Sequence, residues 1–206
     1  MVSLHIMFWL MVGFFGVIGY MRGWQKEVIA MTGLIASLAA LSQFGLTLTA
    51  FAGANTVVTD PTAPPLDLNA IHQKQFWIQA IFHLVFAFFS YQVVARIADN
   101  VTGGKIGDRV RSDLEKRIVG GLVGLLNGYL LIGGLWGFLE YELTQVGYVQ
   151  LQPGVPYAFA DTFIVRPLPD TAAAALAALL PMGLLSPTLW LIFFFVAFFV
   201  VIVALI

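Results

Sequence analysis

No cysteine occurs anywhere in the 206 residues, which excludes disulfides, thiolate zinc sites, iron–sulfur ligation and a cysteine nucleophile. Charge is nearly as scarce: Asp, Glu, Lys and Arg make up 10% of the chain, where a soluble domain carries about 25%. A hydrophobic core cannot be covered with water-compatible surface at that level, so a soluble globular domain is excluded. The net charge of -1 offers no basic face to neutralise a run of phosphates, and nucleic acid is excluded as a partner. What the chain has in excess is apolar length. Hydrophobic residues make up 60%, with 18 Phe and 20 Gly, and the partner this implies is a lipid bilayer.

The gaps between the ten Lys and Arg residues define the spans. A helix rises about 1.5 Å per residue, so 18 to 22 apolar residues match a hydrocarbon core of about 30 Å. The sequence predicts an all-α, polytopic membrane helix bundle in one domain over residues 1–206, with five transmembrane helices near 4–21, 28–54, 76–95, 118–139 and 189–206. Loops 55–75 and 140–188 fall on one side, and loop 96–117 on the other. Eight of the ten bases are Arg22, Lys26 and the six in 96–117, all on one side. By the positive-inside rule that side is the cytoplasm, with the amino terminus outside and the carboxyl terminus inside.

Local signals place the connections. Segment 55–69 is Pro-rich and without period, and Asn69 is expected to cap the third helix. Asp170 or Thr171 caps the Ala-rich run that Pro181 ends, which predicts a short interfacial helix on the outer face. Ser186 followed by Pro187 opens the last span. In the turn from Arg22 to Glu27, Gly23 suits a left-handed cap, Trp24 the interface, and the two charges the helix dipoles on either side. Loop 96–117 sets six bases against four acids, a net of +2, and reads as a solvated loop.

Gly120, Gly124 and Gly128 recur every fourth residue, and Gly133 and Gly137 repeat that spacing. Such glycines lie on one helix face and let another helix approach backbone to backbone. The occupant is either another helix of the same chain or a further copy or larger membrane complex, and spacing does not separate them; Gly19 and Gly23 form a similar but weaker notch on the first helix. Asn127 lies on the same stretch and needs an interhelical hydrogen bond. His83 with Gln79, Ser90 and Gln92 forms a second intramembrane polar set. His5 and His83 both lie toward the outer face, as axial haem or chlorin ligands would. Neither helix carries a further tetrapyrrole signature, so no cofactor is expected.

Enzymatic motifs are missing. Gly103-Gly104-Lys105-Ile106 lacks the upstream glycine and the Ser or Thr of a phosphate-binding loop, and there is no GxSxG, HExxH or intramembrane aspartate pair. The predicted spans hold no charged residue, so no catalytic residue and no metal site is expected.

Two segments carry a resemblance. Arg22-Gly23-aromatic-x-basic-Glu27 directly after the first span resembles the amino-terminal signature of the colicin V production (CvpA) family. Residues 117–131, from Arg117 through Gly120, Gly124, Asn127 and Gly128 to Leu131, are similar to that family's glycine-rich fourth helix. Pro167, Leu168 and Leu179-Leu180-Pro181 resemble its outer segment more loosely. The family commonly has Arg where this chain has Asn127, and usually ends before a span such as 189–206. The resemblance implies an integral cytoplasmic-membrane protein with a part in making or exporting a peptide toxin, without a known catalytic residue. It marks Arg22, Gly23, Glu27, Gly120, Gly124 and Gly128 as signature positions.

Three function classes follow. The first is a non-enzymatic inner-membrane protein that assembles through its glycine face and serves toxin secretion or envelope homeostasis. The second is an accessory subunit of a larger membrane complex, contacting partners through the aromatic helices 76–95 and 189–206. The third is a small oligomeric transporter or channel with Asn127, Gln79 and His83 along its path.

Overall fold

A computed structural model describes residues 4–54, 67–94, 113–159 and 164–205. The linker around Pro64 and the basic loop with Lys105, Arg109 and Arg111 lie outside the described residues.

The chain is a membrane helix bundle with one small β hairpin. Helices α1 (Leu4–Arg22) and α2 (Trp24–Phe51) form an antiparallel pair, followed by α3 (Leu68–Phe89), which runs on as a π-helical turn over Ser90–Val94. Helix α4 (Asp113–Glu140) leads into strands β1 (Tyr141–Thr144) and β2 (Gly147–Gln150). Two short helices, α5 (Ala172–Ala177) and α6 (Pro181–Leu184), precede α7 (Pro187–Leu205). Among the described residues, three helices are long and apolar enough to cross a membrane: Leu4–Arg22, Trp24–Phe51 and Leu114–Glu140. Helix α3 carries buried Gln75, Gln79 and His83, which lowers its apolar character relative to those three.

Several expected boundaries move. Helix α2 begins at Trp24, so Lys26 and Glu27 lie inside it and not in a turn. Helix α3 begins eight residues before the predicted start, capped by Asp67, whose Oδ1 accepts from Ala70 N at 3.1 Å. Asn69 is therefore inside the first turn and is not the cap. Gly23 has φ 83 and ψ 156, an extended positive-φ conformation available essentially to glycine alone; it is not the left-handed helical cap expected. Pro181 opens a new helical turn, as its fixed φ favours at a first position. Thr171 caps α5 through Ala174 N at 3.2 Å, and the Ser186 hydroxyl accepts from Leu189 N at 3.4 Å at the start of α7.

Helix α2 is the centre of the bundle, with Ala30, Leu34, Leu38 and Leu41 buried, and it packs against α3, α4 and α7. Gln43 Nε2 ties α2 to the start of α7 by donating to Pro187 O at 2.8 Å.

The tightest helix crossing is α1 on α4, and its cause is glycine. A Cβ at Gly19 would sit 2.2 Å from Gly120 O and 2.8 Å from Gly124 Cα; one at Gly124 would meet Phe15 O at 2.4 Å, and one at Gly128 Val12 Cα at 2.9 Å. No side chain fits between these backbones, which touch where dispersion alone can hold helices together in lipid. Of the two occupants the spacing left open, the structure places α1 of the same chain on this face. Gly133 and Gly137 serve another contact: a Cβ there would meet Pro181 Cδ at 2.9 Å and Met182 Cγ at 3.3 Å, so they seat the outer helix α6.

The β hairpin was not anticipated within loop 140–188. Its register pairs Tyr141 with Gln150 and Thr144 with Gly147, and Gly147 turns the chain at φ 113. Tyr141 and Leu143 face inward while Glu142 and Thr144 do not, a period of two that the residues Tyr-Glu-Leu-Thr do carry.

Candidate functional site

Three polar groupings lie inside this otherwise apolar bundle. The first joins four helices at the end of the molecule where α1 turns into α2. Extending α2 back to Trp24 puts Glu27 on its buried face, 0% exposed. Arg22, the last residue of α1, reaches across the turn: Nη1 donates to Glu27 Oε1 at 2.8 Å and Nη2 to Tyr91 O, in the π-helical turn, at 3.1 Å. The guanidinium lies 4.7 Å from the Tyr91 ring centroid. Tyr91 OH donates to Glu27 Oε2 at 3.1 Å, and Asn127 Nδ2 of α4 donates to Glu27 Oε2 at 2.8 Å and Glu27 O at 2.9 Å.

Glu27 thus accepts from three side chains of three other segments, and a buried carboxylate so matched is a stable ion pair. These bonds make Glu27 the joint at which the four helices meet. The expected absence of charge from the spans is corrected here: Glu27 lies within the helix because Gly23 turns the chain abruptly. Arg22 and Glu27, read as separate partners of two helix dipoles, bond to each other. Asn127 makes the expected interhelical bond, while its Oδ1 is buried with no hydrogen-bond partner.

The second grouping is a stripe on α3. Gln75 Nε2 donates to Ala54 O at 3.1 Å and Gln79 Nε2 to Gln75 O at 3.1 Å, while Gln79 Oε1 accepts from Tyr148 OH of the hairpin. One turn deeper, His83 Nδ1 lies 2.6 Å from Ser37 Oγ of α2. The carbonyls of Leu130 and Leu131 on α4 lie against the same ring, but Nε2 makes no hydrogen bond. A Cβ at Gly134 would stand 3.0 Å from that Nε2, and Phe138 meets the ring edge-on at 5.7 Å. No face of the imidazole is open to a macrocycle. Ser90 Oγ bonds back to Phe86 O at 2.7 Å and fills the space of a missing side chain at Gly33. Gln92 is exposed and takes no part in the stripe.

The third grouping closes the opposite end. Glu140, 2% exposed, terminates α4 and receives Arg166 Nη2 on Oε1 at 2.5 Å and Nε on Oε2 at 3.1 Å. Tyr157 OH donates to Oε2 at 2.7 Å and itself accepts from Trp136 Nε1 at 2.9 Å; Gln150 Nε2 donates to Oε1 at 3.0 Å. Arg166 also donates to the carbonyls of Leu151, Gln152 and Val155. Burial pushes the Tyr157 hydroxyl well above its usual range, with the hydrogen bond and charge of Glu140 adding to it. Burial also raises Tyr148, and raises Tyr141 to about 12 with help from the Glu140 charge. For Arg166 burial acts downward, but the Glu140 carboxylate outweighs it and holds the guanidinium charged. This second buried ion pair was missed, although Arg166 as the sole base of loop 140–188 was its signal.

The structure therefore brings together Arg22, Glu27 and Asn127, and separately Gly19, Gly120, Gly124 and Gly128, while His83 and Gln79 share a third, separate grouping on α3. Among the described residues, no group of three or more His, Asp or Glu stands close enough to hold a metal ion. No curated protein and no solved structure matches the chain. The family model described as "Colicin V production protein" matches residues 4–150, from α1 through the hairpin, and that span contains the Arg22–Glu27–Asn127 joint and the glycine crossing together. The chain belongs to the colicin V production protein family.

Proposed function

We propose that the protein is a non-enzymatic, multi-pass protein of the bacterial inner membrane that supports production or secretion of a peptide toxin, or envelope homeostasis. One observation carries this reading: the signature residues build the fold. Arg22, Gly23 and Glu27 knot α1 to α2, α3 and α4, and Gly120, Gly124 and Gly128 admit α1, which supports a role as a membrane scaffold. In this reading the amino terminus faces outward and Arg22, Lys26 and loop 96–117 face the cytoplasm, in accord with the positive-inside rule.

Assembly with further copies or with a larger membrane complex then uses a surface other than the glycine face. Helix α7 supplies one, because Phe193, Phe195, Phe198 and Phe199 are exposed along it.

The role is tested in a strain that needs a member of this family for colicin V production and lacks it. Expression of this chain restores toxin in the medium; absence of restoration at equal membrane abundance rejects the role. Orientation is tested separately with the cysteine-free chain. Single cysteines at Pro64, Lys105 and Val155 label with an impermeant thiol reagent from outside, inside and outside in turn, and outside labelling at 105 rejects the topology.

A further inference from the structure

His72, Gln75, Gln79, His83 and Ser90 fall at spacings that place them on one face of α3. Ser90 is eighteen residues beyond His72, about 27 Å of helix, close to the thickness of a hydrocarbon core. Gln75, Gln79, His83 and Ser90 are all buried, whereas Trp77, Ile81, Leu84 and Phe88 on the other side of the helix are exposed. A helix that needed only to pack would bury apolar residues there, since each polar group inside a bilayer is costly.

The stripe has an opening at its outer end. A cavity of about 200 Å³ is lined by Asn69, His72 and Glu142, and also by the buried Gln75 and Gln79. It has room for several waters. His72 Nε2 and Glu142 Oε1, 3.2 Å apart, place a titratable pair on its wall. His83 lies one turn below Gln79. At the inner end Ser90 adjoins Tyr91, which bonds to Glu27 and Arg22. Between His83 and Ser90 the stripe is closed by buried Ala87 and by the seat of Ser90 against Gly33 of α2.

The Ser37 hydroxyl and His83 Nδ1 can exchange donor and acceptor roles: Ser37 donates to Nδ1 of the neutral ring and accepts from Nδ1–H when the ring carries a further proton. Only the hydroxyl need turn. From α2 the ring faces Ser37, and from α4 it faces Gly134 and Phe138, none of them titratable. The charged groups of the path stand at its ends, His72 with Glu142 and Arg22 with Glu27.

We propose that the α3 stripe is a proton-transfer path with His83 as its buried relay. A hydronium ion in the outer cavity gives its proton to the imidazole, leaving water and an imidazolium. The ring returns to neutral by releasing a proton to water admitted on the inner side when the contact of Ser90 with Gly33 parts. One proton moves and nothing is consumed. The proposal rests on α3 crossing the membrane, as in the reading above.

The purified full-length chain is reconstituted into liposomes holding a pH-sensitive dye, and a potassium diffusion potential is imposed with valinomycin. Wild type acidifies the lumen faster than protein-free vesicles. His83→Gln loses this flux, Ser37→Ala slows it, and Leu10→Ile, at an exposed position of α1, leaves it unchanged. A wild-type rate equal to that of empty vesicles overturns the proposal, and so does a wild-type rate in Ser37→Ala or in His83→Gln that elutes as a folded protein. Asp67→Cys and Gln92→Cys in intact cells separate the two claims. Labelling from opposite sides upholds the crossing whatever the flux; labelling from the same side defeats the crossing itself.

Discussion

Asn127 Nδ2 stands 2.8 Å from Glu27 Oε2 and 2.9 Å from Glu27 O, a bond between residues one hundred positions apart that fastens α4 to the start of α2. A hydrogen bond to a buried charge is worth about 1.5–3 kcal/mol, so Asn127→Leu should lower stability by about that amount. Asn127→Arg, which keeps a donor, should be tolerated better. Thermal unfolding in mild detergent checks the order. Equal stability of Asn127→Leu and wild type, or a less stable Arg variant, would contradict the role assigned to Asn127.

Glycine positions on α1 and α4 divide sharply by what a methyl group would meet. At Gly19, Gly120 and Gly124 it would meet backbone at 2.2–2.4 Å, whereas at Gly13 there is nothing within 4 Å. Alanine at any of the first three should force the helices apart and cost about 1–3 kcal/mol. Gly13→Ala should stabilise by up to about 1 kcal/mol through helix propensity. The four variants form one unfolding series, and a Gly19→Ala protein as stable as Gly13→Ala would remove the close crossing.

How far these features were legible in the sequence depended on whether their cause was local. Apolar runs between bases gave the helices, because a bilayer demands length and apolarity in one continuous stretch. The glycine spacing marked a close contact but not its occupant, which only the position of α1 decides. Arg22 and Glu27 were visible as a turn, yet their pairing depends on Gly23 adopting a conformation that lets α2 start at Trp24. The Glu140–Arg166 pair joins residues 26 positions apart through a hairpin and an irregular segment, and no periodic signal connects them. The stripe on α3 was partly legible as Gln79 with His83; its extension to His72 required seeing that the helix starts at Leu68.

At the Glu140 end of α4, Tyr157 links Trp136 to Glu140. Tyr157→Phe keeps the ring but removes both bonds, leaving an indole N–H without an acceptor and a buried carboxylate one donor short. The expected loss is about 1–3 kcal/mol. Arg166→Met should cost more, about 3–5 kcal/mol, because it leaves Glu140 buried and without a counter-charge. Loss of near-ultraviolet circular dichroism on heating reports both. An Arg166→Met protein no less stable than Tyr157→Phe would show that Glu140 finds its compensation elsewhere.

Tyr157 and its neighbours Tyr141 and Tyr148 make this end of the bundle sensitive to alkali. In the unfolded chain a tyrosine releases its proton near pH 10, while burial raises Tyr141 to about 12 and lifts Tyr148 and Tyr157 as well. Above pH 10 the unfolded chain therefore binds fewer protons than the folded one, and stability falls as pH rises. The contribution is fully present below pH 10 and is lost progressively toward the folded values, for Tyr141 at about 12. Arg166 does not offset the loss, because Glu140 keeps it charged throughout this range. Unfolding midpoints in detergent should thus be level from pH 8 to pH 9.5 and decline beyond about pH 10, with phenolate absorbance appearing only as the protein unfolds. Tyr157→Phe should start less stable but decline less steeply, since it has one fewer proton to lose. Phenolate absorbance rising near pH 10 in the still-folded protein would show that these hydroxyls are open to water and that this end of the bundle is not the closed cap described.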